Sequence, residues 1–449
     1  MRITERTRRI MDLDEKNMSY TTRIPYYPLV VERAYGCNIE DIEGNQFIDF
    51  LSSAAVTNTG HNHPKIINAV KKQLDKFMHY TPAYVYHSPH AQLGEKLCEI
   101  IPLNYQKRIA FGLSGSSSVD GALKLVRSYT KRNIILSFLR SYHGTTIGAI
   151  SVSGISLKMR NKLGPLLPEV RFIPYPDCYR CIFGEKYPSC HLRCFSYLEE
   201  LVQTILPPKE IAAIILEPIQ GDAGVIIPPL EYYKKLQSLC RKYCILIIAD
   251  EVQTGFGRTG KWFAFEHFSL EPDVLVMGKA IASGMPLSAI AAKKEIMESW
   301  EAPAHFFNTA GNPVSCVAAL ETLNVIQEEK LIENCLLQGE LLVNGFQEMK
   351  KIFKCIGDVR GRGLLIGVDI VKNEESKERD YKKTAKICWR CWEKGLILAF
   401  FSGSVLRVAP PLIIGEKEAN TALQIIKGAI EDVENGKVAD EVFDIMQGW

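Results

Sequence analysis

The chain has 449 residues, 47% hydrophobic and 23% charged, with a formal net charge of +3. Such a length holds two or three domains around a well-buried core, and the balance is that of a globular protein rather than a fibrous or disordered one. A charge this small, with no dense basic run interleaved with aromatics, argues against nucleic acid as a partner.

The start of the chain carries Arg2 and Glu5 early and lacks the apolar core of a signal peptide. No run of about 18 apolar residues occurs, so no membrane partner is expected and the expected place is cytoplasmic. Thirteen cysteines, an odd number spread over a large chain, suggest reduced thiols rather than a disulfide framework. Cys178-x2-Cys181, with Cys190 and Cys194, offers thiols enough for zinc. The second pair is spaced x3 in a Pro/Tyr-rich stretch, so an irregular loop with free thiols, and no metal, is the expectation.

In chain order, residues 24–50 hold two short strand-like runs around Asp41-Ile42-Glu43-Gly44-Asn45, a hairpin signal. Helical patterns at Pro64–Lys76, Leu230–Lys242 and Pro313–Gln327 then alternate with apolar runs at Ile134–Leu139, Ala212–Leu216, Cys244–Ala249 and Val274–Met277. Such alternation predicts an α/β fold with a mostly parallel sheet covered by helices on both faces. Beyond residue 330 a long helical pattern leads to Gly361–Ile370, Gly395–Phe401, Ser404–Val408 and a closing helix. The expected organisation is a large domain over 61–325 and a small α+β domain built from both chain ends, 1–60 and 326–449.

Three places carry chemistry. The strand ending at Ala249 runs straight into Asp250-Glu251-Val252-Gln253, and a second strand ends at Gly278-Lys279. Ligands of open parallel sheets bind beyond the carboxyl ends of strands, so an aspartate and a lysine meet at one edge. A carboxylate for a ring nitrogen and an amine for an aldehyde suit a pyridine cofactor. Ser114-Gly115-Ser116 leads into a helix whose N-terminal amides suit a phosphate. Tyr142 offers a ring to stack on a flat cofactor.

The phrases SGSSSVDGALKLVRSYT, SYHGTTIGAISVSG, ILEPIQGDAG, DEVQTGFGRTGKWFAFEH, GKAIASGMPLSAI, NTAGNP and LRVAPPL occur in order. Together they resemble the class III aminotransferase family, of the fold type I pyridoxal 5′-phosphate (PLP) enzymes, over essentially the whole chain. The resemblance implies PLP as cofactor, an amino acid as substrate, and a homodimer or homotetramer with active sites at the subunit interface. It implies that Lys279 is the Schiff-base lysine, Asp250 the partner of the pyridine nitrogen and Gln253 the neighbour of the phenolic oxygen. Gly115 and Ser116 match the phosphate cradle, Tyr142 the stacking ring with His143 beside it, Glu217 an orienting carboxylate, and Arg407 the substrate carboxylate's partner.

Three departures stand out. The acid and alanine that usually follow Ser116 are Ser117 and Ser118, and the phosphate-binding threonine of the neighbouring subunit aligns with Asn308, with Thr309 next. Either of those two is a candidate. Where aminotransferases of 4-aminobutyrate, ornithine and similar donors carry an arginine after His-Gly, this chain has Thr145, and their QGE is here Gln220-Gly221-Asp222. Without that cation a second carboxylate loses a contact of roughly 1.5–3 kcal/mol. The stretches HYTPAY, SGISLKMRNKLGPLLPEV, PYPDCYR and APAHFFNTAGNP look like the isoleucine 2-epimerase and amino-acid racemase branch of the family. The expected function is thus racemisation or 2-epimerisation of apolar amino acids, with an aminotransferase as the alternative. Asp222, or a water or tyrosine it positions, is the candidate for the second face of Cα; its other expected role is a salt bridge to Arg407.

Overall fold

In the computed structural model residues 4–24 and 26–448 are described; Pro25 and the outermost residues of the expected small domain, 1–3 and 449, lie outside them. The chain divides into two compact units, Pro64–Lys330 and the pair of end segments Met1–His63 with Leu331–Trp449.

The central unit is built on seven strands: β1 (Lys107–Gly112), β2 (Ile134–Phe138), β3 (Val170–Ile173), β4 (Ile211–Leu216), β5 (Leu246–Asp250), β6 (Val274–Met277) and β7 (Ser288–Lys293). Their order across the sheet is β1-β7-β6-β5-β4-β2-β3. The pairs β3/β2, β2/β4, β4/β5 and β5/β6 are parallel. Only β7 runs against its neighbours β6 and β1. The sheet is therefore mostly parallel, as the alternation of apolar runs and helices requires. Every residue of β4 and β6 is buried, which is why these strands read as continuous apolar runs rather than alternating ones. Helix α1 (Gly115–Thr130) lays Val119, Ala122, Leu123 and Val126 against Ile135, Ala213, Ile248, Val276 and Ile290.

The expected strand from Cys244 begins two residues later, at Leu246. Cys244 instead ends helix α2 (Leu230–Tyr243) in the left-handed region, φ +52°. Arg132 Nη1 donates to the carbonyls of Tyr243 (3.1 Å) and Cys244 (2.9 Å). A side chain thus meets the helix-end carbonyls that a glycine cap would leave to backbone amides.

The end-segment unit has two four-stranded sheets. Gln46–Asp49, second arm of the hairpin around Gly44, pairs parallel with Leu396–Ile397. Phe47 packs with Trp392 and Ile397, so the two chain ends share one core. The run expected at Gly361–Ile370 is not one strand. It is the second half of a hairpin, Ile356–Arg362 and Leu365–Ile370, that reverses at Gly363 with φ +53°.

The helix Leu331–Ile352 touches that turn through Gly339, where an added Cβ would stand 2.3 Å from the Gly363 carbonyl oxygen. Two effects compete in Gly339→Ala. Helix propensity favours alanine by about 1 kcal/mol, while overpacking against rigid backbone costs about 1–3 kcal/mol or more. The clash should win, so Gly339→Ala is expected to lower the thermal midpoint; an unchanged or raised midpoint would show that the hairpin yields freely.

Candidate active site

Segments leaving the carboxyl ends of five strands converge on a cavity of about 160 Å³. Ser114–Ser116 come from β1, Tyr142–Gly144 from β2, Glu217 from β4, Asp250 and Val252–Thr254 from β5, and Lys279 from β6. This is the edge at which an open α/β sheet presents loops and helix N-termini to a ligand.

The α1 end is an anion cradle. Ser114 Oγ accepts from Ser117 N (3.3 Å), and Ser117 Oγ accepts from the amides of Leu113 and Ser114 (3.0 Å each). Ser117, in the place of the usual acid, therefore completes a reciprocal cap. That cap uses the amide of Ser117 and leaves those of Gly115 and Ser116, at the positive end of the helix dipole, for an anion. Only glycine fits at 115, since a Cβ there would stand 2.9 Å from Val252 Cγ1. Gly144, at φ +120°, lets Thr145 N reach Ser116 Oγ (3.1 Å), and a Cβ on Gly144 would stand 2.0 Å from that oxygen.

Asp250 is buried and held on both oxygens: Oδ1 accepts from Val252 N (3.0 Å) and Oδ2 lies 2.7 Å from His143 Nδ1. With Asp250 ionised, Nδ1 carries the hydrogen and donates. His143 Nε2 is buried without a hydrogen-bond partner among the described residues. Glu217 bridges two loops, taking Tyr142 N on Oε1 and Gly221 N on Oε2, both at 2.9 Å. Burial pushes its carboxyl up to about 7; His143 and the two amides oppose the shift, and Asp250 adds to it.

Gln253 Nε2 donates to Asp222 Oδ1 (3.1 Å), while its Oε1 is buried without a partner among the described residues. Burial, with the charges of Asp222, Asp250 and Glu217, pushes the Tyr142 phenol up to about 12, so it remains a proton donor at neutral pH. Lys279 takes a left-handed backbone, φ +43°, a costly conformation for a side-chain-bearing residue and one that clusters at functional sites.

The sequence candidates divide accordingly. Gly115, Ser116, Tyr142, His143, Glu217, Asp250, Gln253 and Lys279 line the cavity, and Asp222 joins them through Gln253. Thr145 is exposed and tied to the cradle through its amide. Asn308 and Thr309 are exposed and outside the cavity lining. Arg407 belongs to the other unit, buried on the strand Val405–Val408 with its guanidinium 3.3 Å from the Phe401 ring centroid. Sequence reasoning missed Val252 and Thr254, although their place within four residues of Asp250 was a usable signal.

The four clustered thiols, Cys178, Cys181, Cys190 and Cys194, line one small cavity elsewhere in the unit and form no disulfide. Among the described residues no group of three or more His, Cys, Asp or Glu is arranged to hold a metal.

The donor set of the cavity fits PLP part by part: an amide cradle for a phosphate, a doubly held carboxylate for a ring nitrogen, and an amine for an aldehyde. Residues 20–430 match the family described as Aminotransferase class-III. The chain is 44% identical to a leucine/methionine racemase of Thermococcus litoralis over 428 residues, covering 95% of this chain and 96% of that one. It is 44% identical to an isoleucine 2-epimerase of Lentilactobacillus buchneri, covering 95% of each. Among solved structures, a Bacillus anthracis aminotransferase superposes with TM-score 0.87 at 33% identity, over 96% of this chain and 99% of that one.

The raised carboxyl gives a pH signature. Between the ordinary value of 4.5 and about 7, folded Glu217 keeps a proton that the unfolded chain has released. Its share of stability therefore falls as pH rises through that window and is flat above it. Glu217→Gln removes this share, so the stability gap between wild-type and variant apoprotein should narrow from pH 5 to pH 7.5. Denaturant midpoints at the two pH values measure it; a gap that widens with pH would refute the raised carboxyl.

Proposed function

We propose, from the premise that this chain belongs to the class-III aminotransferase family, that it inverts Cα of apolar α-amino acids as a racemase or 2-epimerase. Its fold is that of the fold type I enzymes and its cofactor is PLP. The observation that carries the reading is Asp222, buried and hydrogen-bonded to Gln253 at the cavity that Lys279 also lines. Inversion needs two proton-handling groups, one for each face of Cα.

When bound, PLP withdraws electrons from Cα and so acidifies its hydrogen. The roles that follow are supported by chemistry and resemblance. Gly115 and Ser116 hold the phosphate through their amides, and Tyr142 stacks on the ring. Asp250, held by its two donors, would pair with the ring nitrogen. Gln253 Oε1, with no hydrogen-bond partner among the described residues, meets the phenolic side. Lys279 Nζ takes the Cα proton on one face. Asp222, directly or through the Tyr142 hydroxyl, supplies one on the other. Arg407 grips the substrate carboxylate bidentately. An aminotransferase would use the same lysine and aspartate but return the proton to the cofactor; the likeness to the B. anthracis aminotransferase keeps that reading in view.

Under this proposal the Pro64–Lys330 unit is the cofactor-binding domain and the end segments form the small one. The enzyme works in the cytoplasm; no helix of the described residues is long and apolar enough to cross a membrane. A homodimer or homotetramer is supported by the exposed aromatics Tyr80, Tyr84 and Tyr86. In it, exposed Asn308 or Thr309 would serve the partner's phosphate.

Incubation of the holoenzyme with L-isoleucine tests the function. D-allo-isoleucine formed without an oxo-acid acceptor is expected; 3-methyl-2-oxopentanoate formed only with 2-oxoglutarate would establish the aminotransferase instead. Asp250→Asn should keep PLP bound and lose at least ~100-fold in turnover, by comparison with removing one preorganised electrostatic contact; near-normal turnover would reassign Asp250. Thr145→Arg should weaken the reaction with isoleucine, since a bulkier charged side chain would disfavour an apolar substrate there, and improve any reaction with glutamate, whose distal carboxylate could pair with it. Equal effects on both substrates would remove Thr145 from the specificity pocket.

A further inference from the structure

Beneath the loop that carries Asp222, two phenol hydroxyls are buried against each other. Tyr175 follows β3 and Tyr233 sits on α2; their oxygens are 3.1 Å apart, and the residues are 6% and 1% exposed. Both approach the same two consecutive carbonyls. Tyr175 Oη lies 2.9 Å from Glu217 O and 3.3 Å from Pro218 O. Tyr233 Oη lies 3.2 and 3.0 Å from the same pair. The β4/β5 ladder ends at Leu216, and past that point these two carbonyls are met by side-chain hydroxyls. Two hydroxyl hydrogens thus serve both carbonyls and the contact between the phenols, in which either oxygen can donate.

From those carbonyls a continuous set of contacts reaches Asp222. Glu217 takes the amides of Tyr142 and Gly221. Gln220 Nε2 donates to Leu139 O (3.0 Å), and the Gln220 and Ile226 backbones exchange hydrogen bonds of 3.1 and 2.9 Å. Gly221 lies so close to Gln253 that a Cβ there would stand 1.8 Å from Oε1, and Gln253 in turn holds Asp222. Two residues past Tyr175, Asp177 takes Arg140 Nη1 (2.8 Å) from the loop that leads to Tyr142. The segment 175–177 therefore braces both active-site loops from below.

We propose that Tyr175 and Tyr233 are positioning residues for Asp222: their hydroxyl pair sets the height of residues 217–222 and so the point from which Asp222 serves the second face of Cα. The proposal rests on the racemase reading above. Loss of one hydroxyl leaves a buried carbonyl short of a donor, and the loop shifts to recover one. A displacement of about 1 Å at a proton-transfer site costs up to about 100-fold. Lys279, two residues past the end of β6 and not among these contacts, is left in place.

The test uses holoenzyme Tyr175→Phe, Tyr233→Phe and the double variant with L-isoleucine in D2O. Chiral chromatography with mass spectrometry separates two quantities: deuterium in recovered L-isoleucine, which reports proton exchange on the Lys279 face, and D-allo-isoleucine, which reports inversion. Inversion is expected to fall roughly ten- to hundredfold while L-isoleucine exchange stays within about twofold. Independently of turnover, amide hydrogen exchange of the peptide spanning 217–226 should quicken in the cofactor-free variants. Exchange and inversion falling together, or amide protection unchanged, would overturn the positioning role. A wild type that makes no D-allo-isoleucine would overturn the racemase reading itself.

Discussion

The loops at the carboxyl end of the sheet have left the strand ladder and must satisfy their own polar groups in a buried setting. Glu217 meets that constraint with one side chain. Its two oxygens accept the amides of Tyr142 and Gly221, so two loops that share no backbone ladder are held by a single carboxylate. Each orphaned buried amide would cost about 1–3 kcal/mol, which makes the bridge a condition for keeping both loops close-packed. The positions of Tyr142, His143 and Asp222 follow from it, because each lies within a residue or so of a bridged amide.

Close approach sets the remaining geometry. Gly115, Gly144 and Gly221 are the points where α1, the β2 loop and the β4 loop meet Val252, Ser116 and Gln253, with no room for a Cβ at any of them. The site is therefore built on backbone proximity at the sheet edge, and side-chain chemistry is added from fixed platforms. Such a scaffold supports both inversion and amino transfer, since the early proton removal is common to them. What distinguishes the outcomes is which group stands on the second face and what side chain the pocket admits; under the proposed function these would fall to Asp222 and Thr145 rather than to Lys279 or Asp250.

Much of this was legible in the sequence wherever local pattern and burial coincide. Central strands β2, β4 and β6 appeared as apolar runs because both faces are covered. Edge strands β1 and β3 carry Lys107, Arg108 and Arg171 and did not stand out, nor did the alanine-rich β7, whose composition has little β propensity. Asp250, Lys279 and Gly115 were legible because each lies at, or within three residues of, the carboxyl end of a strand. Cys244 was misread as strand because nothing in its type signals a left-handed cap. Tyr175 and Tyr233 were invisible as a pair: an amphipathic helix accounts for Tyr233 as core, and its hydroxyl's partners lie on β4's loop and after β3. Bonds between distant residues leave no periodic trace.

The site also gathers buried acids at one sheet edge. Asp222, Asp250, Glu217 and Glu251 are all buried near one sheet edge. Glu251 accepts from Phe265 N at 2.7 Å and from the Thr254 hydroxyl, yet burial still pushes it up to about 7, as it does Glu217. Four acids in a poorly solvated region repel one another, and backbone amides and the His143 ring are among the groups that answer them. Under the proposed function, a protonated pyridine nitrogen against Asp250 would add a positive charge where desolvation makes it most effective.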